Sequence, residues 1–339
     1  MLYTRRDLGK LALVSVPFAG ALKAAKIDSV IDGIQFGAIT YSFNRLTPDA
    51  IIQAFVDVGL GEVELMSNHC EAAAGAPAAG RGGFGGGGGR AAAPAGAPAA
   101  AAAGGGQGRG GGRAPLTPEQ QAAQADAQQK LADWRAAATL ATWKAVARKF
   151  NDAGIEIGQL CYNMNLNMTD DMIDYAFKMA EGIGAKAITT STTVPMAKRL
   201  APFAEKHQMR IGYHGHDNLT DPNQVATPES FETVMSYGKY NWCNLDIGHY
   251  TAAGFNPVDF IQKYHDRITN LHVKDMKVHG TYTQFGEGDT PMKAVMQLLK
   301  KGQYPFPANI EMEAPLVPQG GDPVAEMKKC FAYCKDLLA

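Results

Sequence analysis

The 339-residue chain lacks the cysteine pattern of a secreted disulfide scaffold. Cys70, Cys161, Cys243, Cys330 and Cys334 are odd in number and none is spaced C-x-x-C, which excludes both a disulfide framework and a zinc knuckle and leaves buried or incidental thiols. No G-x-G-x-x-G follows the first strand-like run and no G-x-x-x-x-G-K-[ST] occurs, so an open nucleotide-binding sheet has no signature here. Excess charge is missing too, with a formal net charge of −1. The first 25 residues and the stretch from Glu71 to Leu116 each carry a net +3, which leaves the remainder near −7. A body that acidic repels phosphate backbones and argues against nucleic acid as a partner.

What is present divides into three parts. Thr4-Arg5-Arg6-Asp7-Leu8-Gly9-Lys10 precedes an apolar run from Leu11 to Leu22, which is too short for a mature bilayer span and has the form of a twin-arginine export signal over residues 1–25. Ala19-Gly20-Ala21 and Ala24-Ala25 offer cleavage sites. The expected location is the periplasm, reached after folding and metal loading, with no stable membrane span after signal removal. Residues 71–116 are almost pure Ala, Gly, Pro and Arg, with 17 of the chain's 38 glycines, and cannot build a core. About 268 residues remain, near the ~250 of one (β/α)8 barrel.

Within 26–339, short apolar runs alternate with amphipathic ones eight times. Strands are expected at Ile34–Tyr41, Glu62–Met66, Ile155–Tyr162, Ala187–Thr190, Arg210–His214, Trp242–Asp246, Ile268–Val273 and Phe306–Glu313. Thr47-Pro48, Thr227-Pro228 and Thr290-Pro291 mark helix starts, each with a hydroxyl before a proline. The pattern predicts an α/β fold, a single-domain (β/α)8 TIM barrel with a low-complexity insertion after the second strand. A lid function for that insertion has nothing in its composition to lock a closed state.

Chemistry in such barrels sits where strands end. Glu64 ends the second strand, and His214-Gly215-His216-Asp217 the fifth. Asp246-Ile247-Gly248-His249 ends the sixth, His272-Val273-Lys274-Asp275 the seventh and Glu311-Met312-Glu313 the eighth. These oxygen and nitrogen donors without thiolates suit Mn, Zn, Co or Mg. Alternation along a strand puts Glu311 with Glu313, and His272 with Lys274, on one inward face.

Taken with Phe285-Gly286-Glu287-Gly288-Asp289, these segments resemble the xylose isomerase-like barrel superfamily, and within it the sugar phosphate isomerase/epimerase family. The resemblance implies one divalent metal ion held by a strand-five residue, His214 or His216, with Asp246, His272 and Glu311. It also implies that His249 and the strand-five histidine left off the metal hold or protonate a substrate oxygen. Many relatives, including tagatose/psicose 3-epimerase-like enzymes, carry glutamate at the strand-five position; inosose dehydratase-like members resemble the histidine-rich pattern better. Glu64 and Glu313 are the candidate bases, and Lys274, Glu287 and Asp289 the candidate substrate contacts.

Glu287 and Asp289 would repel phosphate, so an unphosphorylated polyol or keto-sugar is expected. The leading function is a sugar isomerase or epimerase working through enolate or enediol chemistry. A keto-sugar or inosose dehydratase of the same fold is the alternative, and a non-catalytic carbohydrate-binding barrel is a third. A nuclease of the endonuclease IV type is disfavoured by the acidic body.

Overall fold

The computed structural model describes residues 25–78, 116–313, 317 and 320–339. The leader through residue 24 and residues 79–115 of the Ala/Gly/Pro stretch lie outside them. Eight strands close a parallel barrel: β1 Ile34–Ile39, β2 Glu62–Met66, β3 Glu156–Cys161, β4 Ala187–Thr190, β5 Arg210–His214, β6 Asn241–Asp246, β7 Ile268–Val273 and β8 Ala308–Ile310. Each pairs with the next, and β8 returns to β1 through Ala308 beside Phe36 and Ile310 beside Ala38. The helices are α1 Pro48–Val58, α2 Ser67–Ala73, α3 Pro118–Ala137, α4 Leu140–Asp152, α5 Asp170–Ile183, α6 Val194–His207, α7 Pro228–Ser236, α8 Ile247–Ala252, α9 Pro257–Tyr264, α10 Met292–Gly302 and α11 Pro323–Asp336. Their apolar faces bury against the outer side of the strands. No helix among the described residues is long and apolar enough to cross a membrane. All five cysteines are free and buried.

Local chemistry explains the boundaries. Thr47 and Thr227 cap α1 and α7 by accepting the amides of Ala50 and Ser230, as expected of a hydroxyl before proline. Thr290 does not cap α10; its hydroxyl accepts the Met276 amide at 3.1 Å and the helix starts at Met292. The eighth strand stops at Ile310, short of the expected Glu313, although the Glu311 amide still reaches the Val273 carbonyl at 3.1 Å. The first residues of the Ala/Gly/Pro stretch are helical. Glu71–Ala73 finish α2, and Glu71 is buried under a two-pronged pairing with Arg135 of α3 (2.7 and 2.8 Å) and the Tyr175 hydroxyl of α5 (2.8 Å). That pairing draws together the two flanks of residues 79–115.

The barrel interior is polar along much of its depth. Near its N-terminal end Glu62 is buried with neither carboxyl oxygen hydrogen-bonded. Gly37 and Gly158 make the room, since a Cβ on either would stand 1.9 or 2.1 Å from a Glu62 oxygen. Burial, reinforced by Glu64, raises this carboxyl well above its ordinary pKa. A raised folded-state pKa means that the associated stability is complete below the unfolded value and is lost as pH rises through the folded one. Glu62→Gln, which cannot ionise, is therefore expected to melt above the parent at about pH 8 and to converge with it toward about pH 4. Thermal melts across that range check this; a difference independent of pH contradicts it.

Candidate active site

The strand ends bring His214, Asp246, His272 and Glu311 together, each buried, with one ligand atom from each lying within 4.8 Å of all the others. Asp246 is oriented by the backbone. One of its oxygens accepts the His249 amide at 2.8 Å as the N-cap of α8, which leaves Oδ2 facing inward, 3.9 Å from His214 Nε2. His272 Nδ1 stands 2.8 Å from Glu311 Oε2 and 4.0 Å from Asp246 Oδ2. Charged neighbours are close, yet Asp246 Oδ2, His272 Nδ1 and Glu311 Oε2 complete no aligned hydrogen bond. These atoms are ion-paired with one another and with Lys274 but keep unused hydrogen-bonding capacity, which a further partner can take up.

Glu64 does not stand at the rim, where it was expected to serve as a base. It is wholly buried beneath His272, whose Nε2 it meets at 2.7 Å. Asn270 donates to it at 2.7 Å, the Thr189 hydroxyl donates to its other oxygen, and Asn309 and Asn244 reach it at 3.4 and 3.5 Å. A carboxylate so fully engaged holds its neighbours in place. It turns His272 so that Nδ1 faces the quartet, the way an outer carboxylate orients a metal-ligating histidine. Burial disfavours the imidazolium, but Glu64 and Glu311 outweigh it and hold the His272 pKa at about 10. That proton is the one a metal ion would displace.

Lys274 was expected to touch substrate or lie along the surface. It is instead sealed, its ammonium 2.9 Å from Asp246 Oδ2, 3.0 Å from Glu311 Oε2 and 3.1 Å from Glu313 Oε1. Those carboxylates hold it charged against the cost of burial. Glu287 and Asp289 do not reach the site either. Both are exposed, and Asp289 pairs with Lys277 at 3.3 Å and accepts the Val278 amide. Their glycine-rich loop wraps a carboxylate of the protein itself: buried Asp275 accepts the amides of Gly286 (2.8 Å), Gly288 (3.0 Å) and Thr290 (3.3 Å). A Cβ at position 288 would lie 1.8 Å from Asp275, so only glycine fits.

Above the quartet lies a cavity of about 150 Å³, the size of an engineered cavity that holds one benzene ring. Ile39, Met66, Cys161 and Tyr41 form an apolar wall apart from the main core. Facing it are the carboxylates of Glu64, Glu311 and Glu313, the rings of His216 and His249, and Tyr282. Glu313 keeps 14% of its side chain exposed. The rings of His214 and His216 lie 4.8 Å apart, and those of His216 and His249 5.1 Å apart. Burial first, then its cationic neighbours, lower the His216 pKa to about 4, so this ring is neutral at neutral pH. Among the described residues, no lysine or arginine lines the cavity.

Sequence reading missed the three asparagines around Glu64, Asp275 and Tyr282. A signal for the asparagines was present: Asn244, Asn270 and Asn309 each precede a quartet member by two residues, hence share its inward face one layer down. Tyr282, on the loop after β7, has no such periodicity to betray it.

Residues 190–336 match the family described as xylose isomerase-like TIM barrel. An inosose dehydratase of Clostridium botulinum is 28% identical over 135 residues, covering 34% of this chain and 44% of that protein. Another, of Geobacillus kaustophilus, is 31% identical over 81 residues, covering 23% and 25%. The chain thus spans about half or less of the length of the curated relatives it matches. Among solved structures, the 3-keto-D-glucoside 4-epimerase of E. coli superposes with a TM-score of 0.57 at 9% identity, covering 89% of this chain and 99% of that one. A sugar phosphate isomerase/epimerase of Parabacteroides distasonis gives 0.52 at 14%, covering 92% and 96%. At such identities these two likenesses establish the fold alone.

Replacing Glu64 by Gln removes the anion beside the His272 cation and sets an amide donor among donors. A loss of about 3–5 kcal/mol in unfolding free energy is expected from urea denaturation. A loss below about 1 kcal/mol, the scale of one ordinary hydrogen bond, would contradict the role assigned to Glu64.

Proposed function

We propose that this xylose isomerase-like barrel is a divalent-metal enzyme that removes water from an unphosphorylated keto-polyol, beginning with loss of a proton from the carbon beside the carbonyl. The observation that carries the reading is the asymmetry of the proton-handling groups. Three carboxylates line the cavity with imidazoles and a phenol: Glu313 keeps the most exposed surface, Glu311 belongs to the quartet, and Glu64 has no exposed surface and is committed to its donors. Inversion at carbon by a pair of carboxylates needs a second base across the cavity. Glu64, a candidate base that also borders the cavity, has no exposed surface and both oxygens engaged by His272, Asn270 and Thr189, so it is not free to take a proton. Elimination needs one base and one acid, which this lining contains. The partial likeness to proteins named inosose dehydratase supports the same choice, and a cavity without lysine or arginine favours a substrate without phosphate.

The donor set fits a divalent cation. His214, Asp246, His272 and Glu311 supply nitrogen and oxygen of the kind that Mn, Zn, Co and Mg accept, and each of the four has a buried atom with no aligned hydrogen bond. A bound ion would supply Lewis-acid polarisation of the substrate carbonyl and a template for its oxygens. The chain's own residues do the rest. Glu313 takes the proton, His216 holds a hydroxyl, and Lys274 balances the carboxylates crowded around it. The apolar wall of Ile39, Met66 and Tyr41 receives the C–H face of a ring and excludes water from it. Export to the periplasm in the folded state is part of the proposal and rests on the Arg5-Arg6 leader.

Metal-reconstituted protein incubated in D₂O with inososes, ketoses and 3-keto-glycosides, followed by NMR, tests the reading. Water loss to an unsaturated or diketo product is expected from at least one six-membered keto-polyol. Deuterium exchange accompanied only by epimerisation, with the hydroxyls intact, would overturn it.

A further inference from the structure

Tyr282 belongs to no strand, yet it is held firmly at the cavity. It sits in an antiparallel bridge with Met276 on the loop after β7, and its side chain lines the same space as Glu313. The hydroxyl lies 3.1 Å from His249 Nε2. On the far side of that ring, His249 Nδ1 is 3.4 Å from Asp217 Oδ1, on a carboxylate 37% exposed. Burial, reinforced by Glu313, raises the Tyr282 pKa well above its ordinary value and keeps the phenol protonated; the Lys274 ammonium, 4.9 Å from the ring centre, opposes that shift and is placed to meet a developing phenolate. A packing tyrosine needs one hydrogen-bond partner and nothing more. Here the partner has a carboxylate 3.4 Å from its other ring nitrogen, close enough to attract a proton there though short of an aligned hydrogen bond, a cation faces the ring, and the tyrosine lines the cavity. That is the arrangement of a proton-transferring group backed by an orienting one.

We propose that Tyr282 is the general acid of the elimination, giving its hydroxyl proton to the departing oxygen, with His249 and Asp217 as positioning residues. The assignment rests on the dehydratase reading above. Glu313 accepts the proton from the carbon beside the carbonyl, and the electron pair left there becomes the new carbon–carbon double bond. The adjacent C–O bond breaks with its electrons on oxygen, which takes the Tyr282 proton and leaves as water. The proton on Glu313, which faces the tyrosine hydroxyl, then returns to the phenolate. No outside acid is consumed.

The test compares Mn²⁺-loaded wild type and Tyr282→Phe on a keto-polyol and on its analogue with fluoride in place of the departing hydroxyl. NMR in D₂O follows C–H exchange and elimination separately, and elemental analysis follows the metal. The variant is expected to keep its metal and to exchange at close to the wild-type rate, while losing water roughly 10²-fold more slowly or worse. Fluoride departs without a proton, so the fluoro analogue should restore elimination. His249→Gln keeps the hydroxyl and removes its partner; a smaller split of the same kind is expected, and this variant decides the matter if Tyr282→Phe does not fold. Water loss from Tyr282→Phe at the wild-type rate overturns the assignment alone. So does a parallel fall of exchange and elimination without rescue by fluoride. A wild-type protein that exchanges the substrate proton yet expels neither water nor fluoride overturns the dehydratase reading and this assignment with it.

Discussion

A carboxylate with no exposed surface is tolerable inside a barrel only where donors surround it, and Glu64 is surrounded from almost every side. Its partners come from β4 (Thr189), β6 (Asn244), β7 (Asn270 and His272) and β8 (Asn309). One side chain on β2 therefore ties four distant strands together through the interior. The same contacts decide chemistry one layer higher. With Nε2 of His272 committed to Glu64, Nδ1 is left to face Asp246 and Glu311, so a structural bond sets the donor that the upper layer presents.

That upper layer concentrates negative charge that the fold must offset. Asp246, Glu311 and Glu313 share the buried Lys274 ammonium, at distances of 2.9 to 3.1 Å. Lys274 is thus a fixed counter-charge that lets several carboxylates approach one another. Asp246 does two things at once, capping α8 with one oxygen and offering the other to the quartet. Asp275, next along from Lys274, anchors the loop that carries Tyr282 toward the cavity, because it accepts amides from positions 286, 288 and 290 on the return path. The geometry of the quartet and that of the loop are coupled through these two acids.

Much of this was legible before any coordinates. Eight apolar runs separated by amphipathic ones specify a parallel barrel, and polar residues closing those runs mark its active rim. The four residues expected to share a cation do lie together. Depth was not legible, because how high a strand residue sits in the barrel depends on the stagger between strands, which no single strand encodes. Glu64 and His272 each look like strand ends, and only the closed barrel sets one beneath the other. Lys274 likewise reads as a substrate contact until three carboxylates converge on it. That Glu71–Ala73 are helical was not legible, because alanine suits both the last turn of α2 and the sequence that follows, and the buried pairing of Glu71 with Arg135 joins segments 64 residues apart.

The account depends most on a cation position defined by a histidine that Glu64 has oriented. A crystal of the protein grown with Mn²⁺, measured near the manganese absorption edge, tests this directly through the anomalous difference map. The account predicts a single anomalous peak bounded by His214, Asp246, His272 Nδ1 and Glu311, with Glu64 still against His272 Nε2. An empty quartet, or a peak bound by His216 and His249 instead, would contradict it.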